Sequence, residues 1–566
     1  MIKLSTKKNL VLALFLLNNC GQPGGQSFVR SDLRSILKIT ELSSPSESVL
    51  WSGQGMSLVT PRKDDAFKNW AKERKLTLVT LPESNAFAQS LAAADTTLAY
   101  TPSTEEHAGF ALVEIQSQDH ETKLAHEAHE GNQGCGMLQR LRLLDVSKQS
   151  TTFIAPVFIE SVKRKAVADL VATDAASVKT ALQNSIHNLE NIGTRFHTTT
   201  SGLGAPAQIK SMFEAAAAGK ISGITVQLNP HQESRQSSVI VTIPGRDDPK
   251  ATGPAVIIGA HLDSINSSGE QTPAPGADDD ASGVATLIEI LRRIADTGSQ
   301  FQRTIELHAY GAEEVGLIGS SEIAERFQTT DRQVVAMMQI DMNGWASDPN
   351  SETIYLVTNS TKAVLRRSLK TLINSYLGGN VVEGTLKAGQ SDHVSWHNAG
   401  YNAVFPFENP IDYNLALHSV RDTSANLNNL NLSARFVEGG LVFLSHMAGL
   451  TSAESGYQSD LKTFRSSLVK NLYVAVKAGS SPDQYDLFVA GGADVKSLEL
   501  CESHEAGGMT CQKELLSGTF SVNKGSRALF TVATGITIRS GIHLTIFGYN
   551  AADQLVAQRS VRLDKN

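Results

Sequence analysis

The pattern of apolar and polar positions changes character twice along the chain. From about Thr173 a helical period sets in: Val178, Leu182, Ile186 and Leu189 fall on one face, with Thr173 or Asp174 placed to cap the start. Beyond it, apolar strand-like runs at 238–243, 255–258, 304–308, 334–340, 353–357 and 403–407 alternate with helical stretches at 284–294, 364–376 and 436–450. Such alternation predicts an α/β fold: a mainly parallel mixed sheet with helices on both faces, and ligands gathered at the carboxyl ends of its strands. Ahead of this region, short β-like runs at 57–60, 76–81, 110–115 and 152–158 sit among polar connections and predict a small α+β unit. After about Ser455 the helical pattern fades. Runs at 472–476, 485–489, 498–501, 528–532 and 542–547, separated by Gly, Ser and Asn turns, predict a β-sandwich.

A chain of 566 residues holds roughly three or four domains. Hydrophobic residues at 41% against 19% charged exclude a disordered chain. The net charge, 50 − 57 = −7, gives no basic field and argues against nucleic acid as a partner. No apolar run reaches the ~20 residues that span a bilayer, which excludes a multi-span membrane protein. Lys3, Lys7 and Lys8 precede an unbroken apolar stretch at 10–17, so residues 1–19 read as a secretory signal. Cys20 directly after it resembles a bacterial lipoprotein acylation site, although Asn18 and Asn19 depart from the small residues usual there. Ordinary cleavage a few residues further on is the alternative. Residues 20–50 read as a tether, 51–169 as an α+β prosegment-like domain, 170–455 as the main α/β domain and 456–566 as the sandwich. In an exported protein Cys501 and Cys511 suit a disulfide, whereas Cys135 has no near neighbour. His120, His126 and His129 lie among Glu and Lys. The run His126-Glu127-Ala128-His129 is one residue short of H-E-x-x-H, so a solvated charged helix or loop is expected there.

Five short pieces, each at the end of a predicted strand or in the loop after it, carry metal-ligating residue types. In Gly259-Ala260-His261-Leu262-Asp263, His261 and Asp263 are two apart and point the same way in extended chain. An Asp beside a His commonly accepts the ring N–H and leaves the other nitrogen for a metal. Pro275-Gly276-Ala277-Asp278-Asp279-Asp280-Ala281-Ser282-Gly283 puts three acids at the mouth of an apolar helix. Capping explains one or two of them; the third, between glycines, suits a turn aimed at a cation. Tyr310-Gly311-Ala312-Glu313-Glu314-Val315-Gly316 follows the third strand of the set. Asp341, in Gln339-Ile340-Asp341-Met342-Asn343, closes an apolar run, where a charge is costly unless paired or coordinating. The last piece is Leu417-His418-Ser419 with Asp422-Thr423. Together they offer two His, several carboxylates and no Cys. That set suits two cations sharing a carboxylate, with an open position, and an acid left over as general base.

The order H-L-D, G-A-D-D-D-A-S-G, A-E-E-V-G-L-x-G-S, Q-I-D-M and H-S-V-R-D-T is similar to that of the two-zinc bacterial leucyl aminopeptidases of metallopeptidase family 28 (clan MH), over about 170–450. Lesser matches are Thr194-Arg195-Phe196-His197 upstream and Ser391-Asp392-His393 downstream. The resemblance implies a zinc-peptidase/phosphorylase-like fold and two Zn2+ per chain. Asp279 would bridge the ions, His261 and Asp341 would complete one, and Glu314 and His418 the other. Glu313 would be the general base and Asp263 would orient His261. The residues themselves leave open which of Asp278, Asp279 and Asp280 bridges, and which of Glu313 and Glu314 is the base. Met342, Phe405, Phe407, Ile411, Tyr413 and Leu417 would line an apolar pocket for the first substrate side chain. The best-matching branch carries two Cys and a Tyr just before S-D-H, whereas this chain reads Leu386-Lys387-Ala388-Gly389-Gln390. The C-terminal region, with its Asp-Leu-Phe-Val run and two Cys, resembles the bacterial pre-peptidase C-terminal domain.

The expected activity is hydrolysis of the N-terminal peptide bond of peptides with large apolar first residues, by an exported, monomeric enzyme made as a zymogen. Its partners would be peptide or protein N-termini, with membrane contact only through a lipid anchor at Cys20. Two rivals are another zinc enzyme on the same scaffold, such as a carboxypeptidase or a one-zinc glutaminyl cyclase, and a surface lipoprotein that binds ligand without turnover.

Overall fold

The computed structural model describes residues 27–451, apart from 36, 41–46, 54–55, 62–65, 72–73, 82–85, 104–107, 131–137, 143–160, 173 and 387–389, and beyond 451 only the strands between 472 and 563. The apolar start, Cys20, Cys135, the run 152–158 and most of the loop before Ser391 lie outside the described residues.

Six strands form the core sheet, in the order Ala403–Val404, Val334–Gln339, Ala255–His261, Thr304–Tyr310, Ser238–Ile243 and Thr225–Asn229. The first four run parallel, and Ser238–Ile243 pairs antiparallel with the strand on each side of it, giving a mixed sheet. Ala255–His261 is buried over its whole length, as expected for a central strand covered on both faces. Its side chains alternate: Val256, Ile258 and Ala260 join one core and Ala255 and Ile257 the other. The first core is closed by helices Ala175–Glu190, Thr200–Ala217, Gly283–Thr297, Ala363–Tyr376 and Leu430–Leu444. The second is closed by Ile318–Thr329 and His393–Asn398, through Phe327 and Trp396. Asp174 caps the first of these helices, its carboxylate accepting the N–H groups of Ala176 and Ser177.

Three expectations shift. The run 353–357 is not in the core sheet; Ile354–Val357 lies between Val381–Gly384 and Pro406–Phe407 in a separate three-stranded sheet. The run 403–407 divides between the two sheets, and Pro406, lacking an N–H, sits on an edge strand. The last helix starts earlier, at Leu430, where Asn429 accepts the N–H of Leu432, and its final turn widens over Ser445–Gly449.

The N-terminal unit is a five-stranded antiparallel sheet (Phe28–Val29, Thr97–Thr101, Gly109–Ile115, Lys75–Leu81, Leu138–Arg140) with helices Ala86–Ala93 and Gln118–Ala128, beside a three-stranded sheet. It begins inside the stretch read as a tether: Phe28 stacks on Tyr100, and Leu33 and Leu37 are buried. Helix Ser161–Val171 belongs with the main domain, because Val167, Leu170 and Val171 pack into its core. In the C-terminal region, Leu472–Ala478, Gln484–Gly491 and Ala528–Thr537 form one antiparallel sheet, and Gly508–Glu514, Ser497–His504, Ile542–Tyr549 and Leu555–Leu563 another. The backbone register sets Cys501 opposite Cys511. Among the described residues, no helix is long and apolar enough to cross a membrane.

Candidate metal centre

The carboxyl ends of three neighbouring parallel strands converge. His261 is the last residue of its strand, Glu313 and Glu314 follow Tyr310, and Asp341 follows Gln339 by two. Asp278, Asp279 and Asp280 fill the turn into helix Gly283–Thr297, and His418 comes from a turn beyond the small sheet, in the left-handed region at φ 54°. A non-glycine residue held there is a strained arrangement that clusters at functional sites. Asp279 lies between the two imidazoles. One of its oxygens is 2.9 Å from His261 Nε2 and the other 3.0 Å from His418 Nε2. Asp341 is 3.6 Å from His261 Nε2, and Glu314 is 3.5 Å from His418 Nε2. All of these side chains are buried.

Hydrogen bonds separate the residues that face the centre from those that hold it. Asp280 accepts the N–H groups of His261, Gly283 and Met342. Asp278 accepts from Gly344 N–H and from the Asn414 amide. Asp279 alone of the three sets its two oxygens against the two imidazoles. A Cβ at position 283 would come within 2.4 Å of Asp280, so the glycine ending the motif is sterically required. Asp263 sits 3.6 Å from His261 Nδ1, and its oxygens also accept the N–H groups of Glu313 and Glu314 at 3.0 and 3.1 Å. Asp422 does the same for Asp278 and Asp279, at 2.9 and 3.1 Å. Ser391 donates to Asp341 at 2.5 Å, and Gln339 donates to Ser391 and Asp392. Buried Arg195 donates to the carbonyls of Leu262, Pro275 and Gly276, tying two of the loops together.

The electrostatics call for a cation. Asp263, Asp278, Asp279, Asp280, Glu313, Glu314, Asp341, Asp392 and Asp422 are all buried here, with Arg195 the fixed positive charge among them. Burial, with Glu314, Asp392 and Asp341 adding and His261 opposing, pushes the Glu313 carboxyl well above its ordinary range. Burial and Asp279 push Glu314 up to about 7; burial and Asp278 push Asp422 up to about 8. His418 rises to about 10: burial opposes this, but Glu314 and Asp279 outweigh it. Asp279 is held low against burial by its bonds to His261 and His418. Neither oxygen of Glu313 accepts a hydrogen bond among the described residues, and Glu314 is met by the His418 ring at a long 3.5 Å, a costly state for buried carboxylates unless a cation completes them. Two imidazoles with carboxylates and no thiolate is a donor set that fits zinc.

The sequence-predicted residues His261, Asp263, Asp279, Glu313, Glu314, Asp341 and His418 are thus brought together. Met342, Phe405, Phe407 and Leu417 form an apolar cluster with Val357 and Leu386, and Tyr413 packs on it. Ile411 does not join: it lies in the Asn409–Asp412 turn, where its N–H bonds to the Asn409 side chain, and it is 85% exposed. The expectation for the His-rich run is also corrected. Helix Gln118–Ala128 ends one residue before His129, which turns inward and is fully buried, its Nε2 3.3 Å from Glu314. His126 bonds the carbonyl of Asn266. Sequence reasoning missed the backbone clamps made by Asp263 and Asp422 and the support of Asp341 by Ser391. Asp422 and Ser391 stood in quoted motifs, but a motif does not say which N–H or oxygen a side chain will meet.

Residues 238–436 match the family model described as Peptidase family M28. Leucine aminopeptidase 1 of Metarhizium robertsii is 34% identical over 267 residues, covering 45% of this chain and 66% of that protein. A probable leucine aminopeptidase of Arthroderma otae is 32% identical over 257 residues, covering 44% of this chain and 68% of that protein. The chain spans about two thirds of the length of the curated relatives it matches. Crystal structures of the LapA aminopeptidase and of LapB from Legionella pneumophila share the fold, with TM-scores of 0.52 and 0.54 at 24% and 23% identity. Each covers 66% of this chain, and 98% and 100% of those chains respectively.

Proposed function

The chain belongs to peptidase family M28, and from that premise we propose that it is an exported two-zinc aminopeptidase. It removes N-terminal residues with large apolar side chains from peptides. One observation carries this reading: a single buried carboxylate, Asp279, faces two histidines on opposite sides, and Glu313, buried beside them, accepts no hydrogen bond among the described residues. His261, Asp279 and Asp341 would hold one ion, and Asp279, Glu314 and His418 the other. Bound zinc supplies Lewis acidity at neutral pH, stabilising charge on the scissile carbonyl oxygen and acidifying water.

The chain's own residues do the rest. Glu313 takes the proton of the attacking water and passes it to the departing amine, the part for which an uncommitted buried carboxylate is suited. Asp263 keeps His261 in one tautomer and, through two backbone N–H groups, fixes Glu313 and Glu314 in the same act. The apolar cluster of Met342, Phe405, Phe407, Leu417 and Tyr413 adjoins Asp341 and His418 along the chain and receives the first substrate side chain. The unit before helix Ser161–Val171 acts as a prosegment, and Cys20 as a lipid anchor. The test is hydrolysis of leucine p-nitroanilide by protein freed of the N-terminal unit, with and without chelator. Chelator-sensitive turnover supports the reading; no turnover in zinc-replete folded protein contradicts it.

A further inference from the structure

The N-terminal unit reaches the metal centre with one side chain. His129 follows the last turn of helix Gln118–Ala128 and is fully buried. Its Nε2 lies 3.3 Å from Glu314, and its ring meets that of His418 edge-on at 4.4 Å between centroids. One donor atom each from His129, Glu314 and His418 fall within 4.8 Å of one another. His129 Nδ1 is 2.7 Å from the carbonyl of Ala125, a pairing that requires the proton on Nδ1. In the neutral ring Nε2 is then a bare acceptor. It has no hydrogen-bond partner among the described residues, and it faces the Glu314 carboxylate, which His418 Nε2 also approaches at 3.5 Å. Two buried acceptors face to face repel unless a proton or a metal ion lies between them, and a third donor atom, from His418, completes a pocket of the size an ion takes.

The placement is anchored on both sides of His129. His126 bonds Asn266 at 2.8 Å, Arg140 N–H donates to the Gly316 carbonyl at 2.8 Å, and the Arg140 side chain pairs with Glu233 at 3.1 Å. Leu124, Ala125 and Ala128 pack with Ala312 and Val315, on the loop that carries the two glutamates.

We propose that His129 is a fourth protein ligand to the ion held by Asp279, Glu314 and His418, closing in the uncleaved chain the position a substrate amine must take. This rests on the two-zinc reading above. Three protein ligands leave a catalytic zinc an open position; four close it as in a structural site. The centre is then asymmetric: the ion held by His261, Asp279 and Asp341 stays open, while the other is sealed until the N-terminal unit leaves.

The test compares the full chain with His129→Ala and with His126→Ala, which loses a docking contact but no ligand. The readouts are zinc affinity and the visible absorption of the cobalt-substituted protein. In His129→Ala the weaker ion should bind at least about tenfold less tightly, a loss that removing even an outer partner of a ligand can cause. The cobalt spectrum should shift away from four-coordination, and added imidazole should restore it. His126→Ala should keep the wild-type spectrum. If His129→Ala instead folds, binds both ions with unchanged affinity and keeps the wild-type spectrum, His129 is not a ligand. A His129→Ala that fails to fold is replaced by His129→Gln, read the same way. A wild-type chain holding fewer than two ions would overturn the two-zinc reading itself, and the proposal with it.

Discussion

At the scale of residues, the centre depends on which carboxylates are already engaged. Asp278, Asp280, Asp263 and Asp422 spend their oxygens on N–H groups, whereas among the described residues neither oxygen of Glu313 is engaged. Glu313→Gln should therefore keep fold and metal while turnover falls about 10²–10⁴-fold, since an amide cannot accept the proton; turnover and metal content of the same sample check this. Asp263→Ala removes two backbone anchors and an imidazole partner at once. Its zinc affinity should drop by about 10–100-fold, read by chelator competition. The apolar cluster predicts that a leucine substrate exceeds an alanine one by roughly tenfold or more in kcat/KM, at about 0.8 kcal/mol per buried methylene. N-acetylation should abolish cleavage by blocking the amine. A preference for a glutamyl substrate would contradict the cluster's role. The five motifs were legible because strand-end acids and histidines stand out against apolar runs. The choice of Asp279 among three acids was not legible, because identical side chains differ only in the N–H groups the fold brings to them. Nor was the place of Ile411 outside the buried cluster legible: a turn, not its apolar character, sends it to solvent.

At the scale of elements, strands buried on both faces announced themselves. The run 255–258 has no polar position, and the central strand of the sheet grows from it. Which sheet a strand joins was less legible: 353–357 reads like its neighbours yet pairs elsewhere, because periodicity records burial and not partners. Helix Ile318–Thr329 is joined to the hairpin before it by Glu322, whose oxygens each accept a backbone N–H, from Gln232 and Glu233, at 2.9 Å. Burial opposes its ionisation, but His231 and these N–H groups bring the carboxyl down from the ordinary 4.5 to about 2. A depressed carboxyl stabilises the fold above its unfolded value and loses that contribution as pH falls through the folded one. Glu322→Gln should then be less stable than wild type at pH 7, by on the order of 2 kcal/mol. The gap should narrow once pH drops below about 4.5 and close toward pH 2. Denaturant midpoints between pH 7 and pH 3 would show it, and a gap independent of pH would contradict the clamp.

At the scale of the whole molecule, the main domain and the N-terminal unit share an apolar cluster and a chain of ion pairs from Arg140 and Arg142 to Glu233 and Glu322. The sequence marked the change of composition between them but drew the boundary too late, since helix Ser161–Val171 has an apolar face that only the main core explains. It also left His129 on a solvated helix or loop, because a ligand motif is sought within one helix, whereas the partners of His129 lie far along the chain. With the N-terminal unit covering the centre, the full chain should hydrolyse leucine p-nitroanilide more slowly than a chain starting just before Ser161. Equal kcat/KM for the two would remove the prosegment role. The central claim, a peptidase built on two ions sharing Asp279, is tested most directly by stripping the processed protein with chelator and following leucine p-nitroanilide hydrolysis as zinc is returned. Activity should rise until two equivalents are bound, and Asp279→Asn should recover neither tight binding nor turnover. Full activity at one equivalent, or none at two in folded protein, would contradict the account.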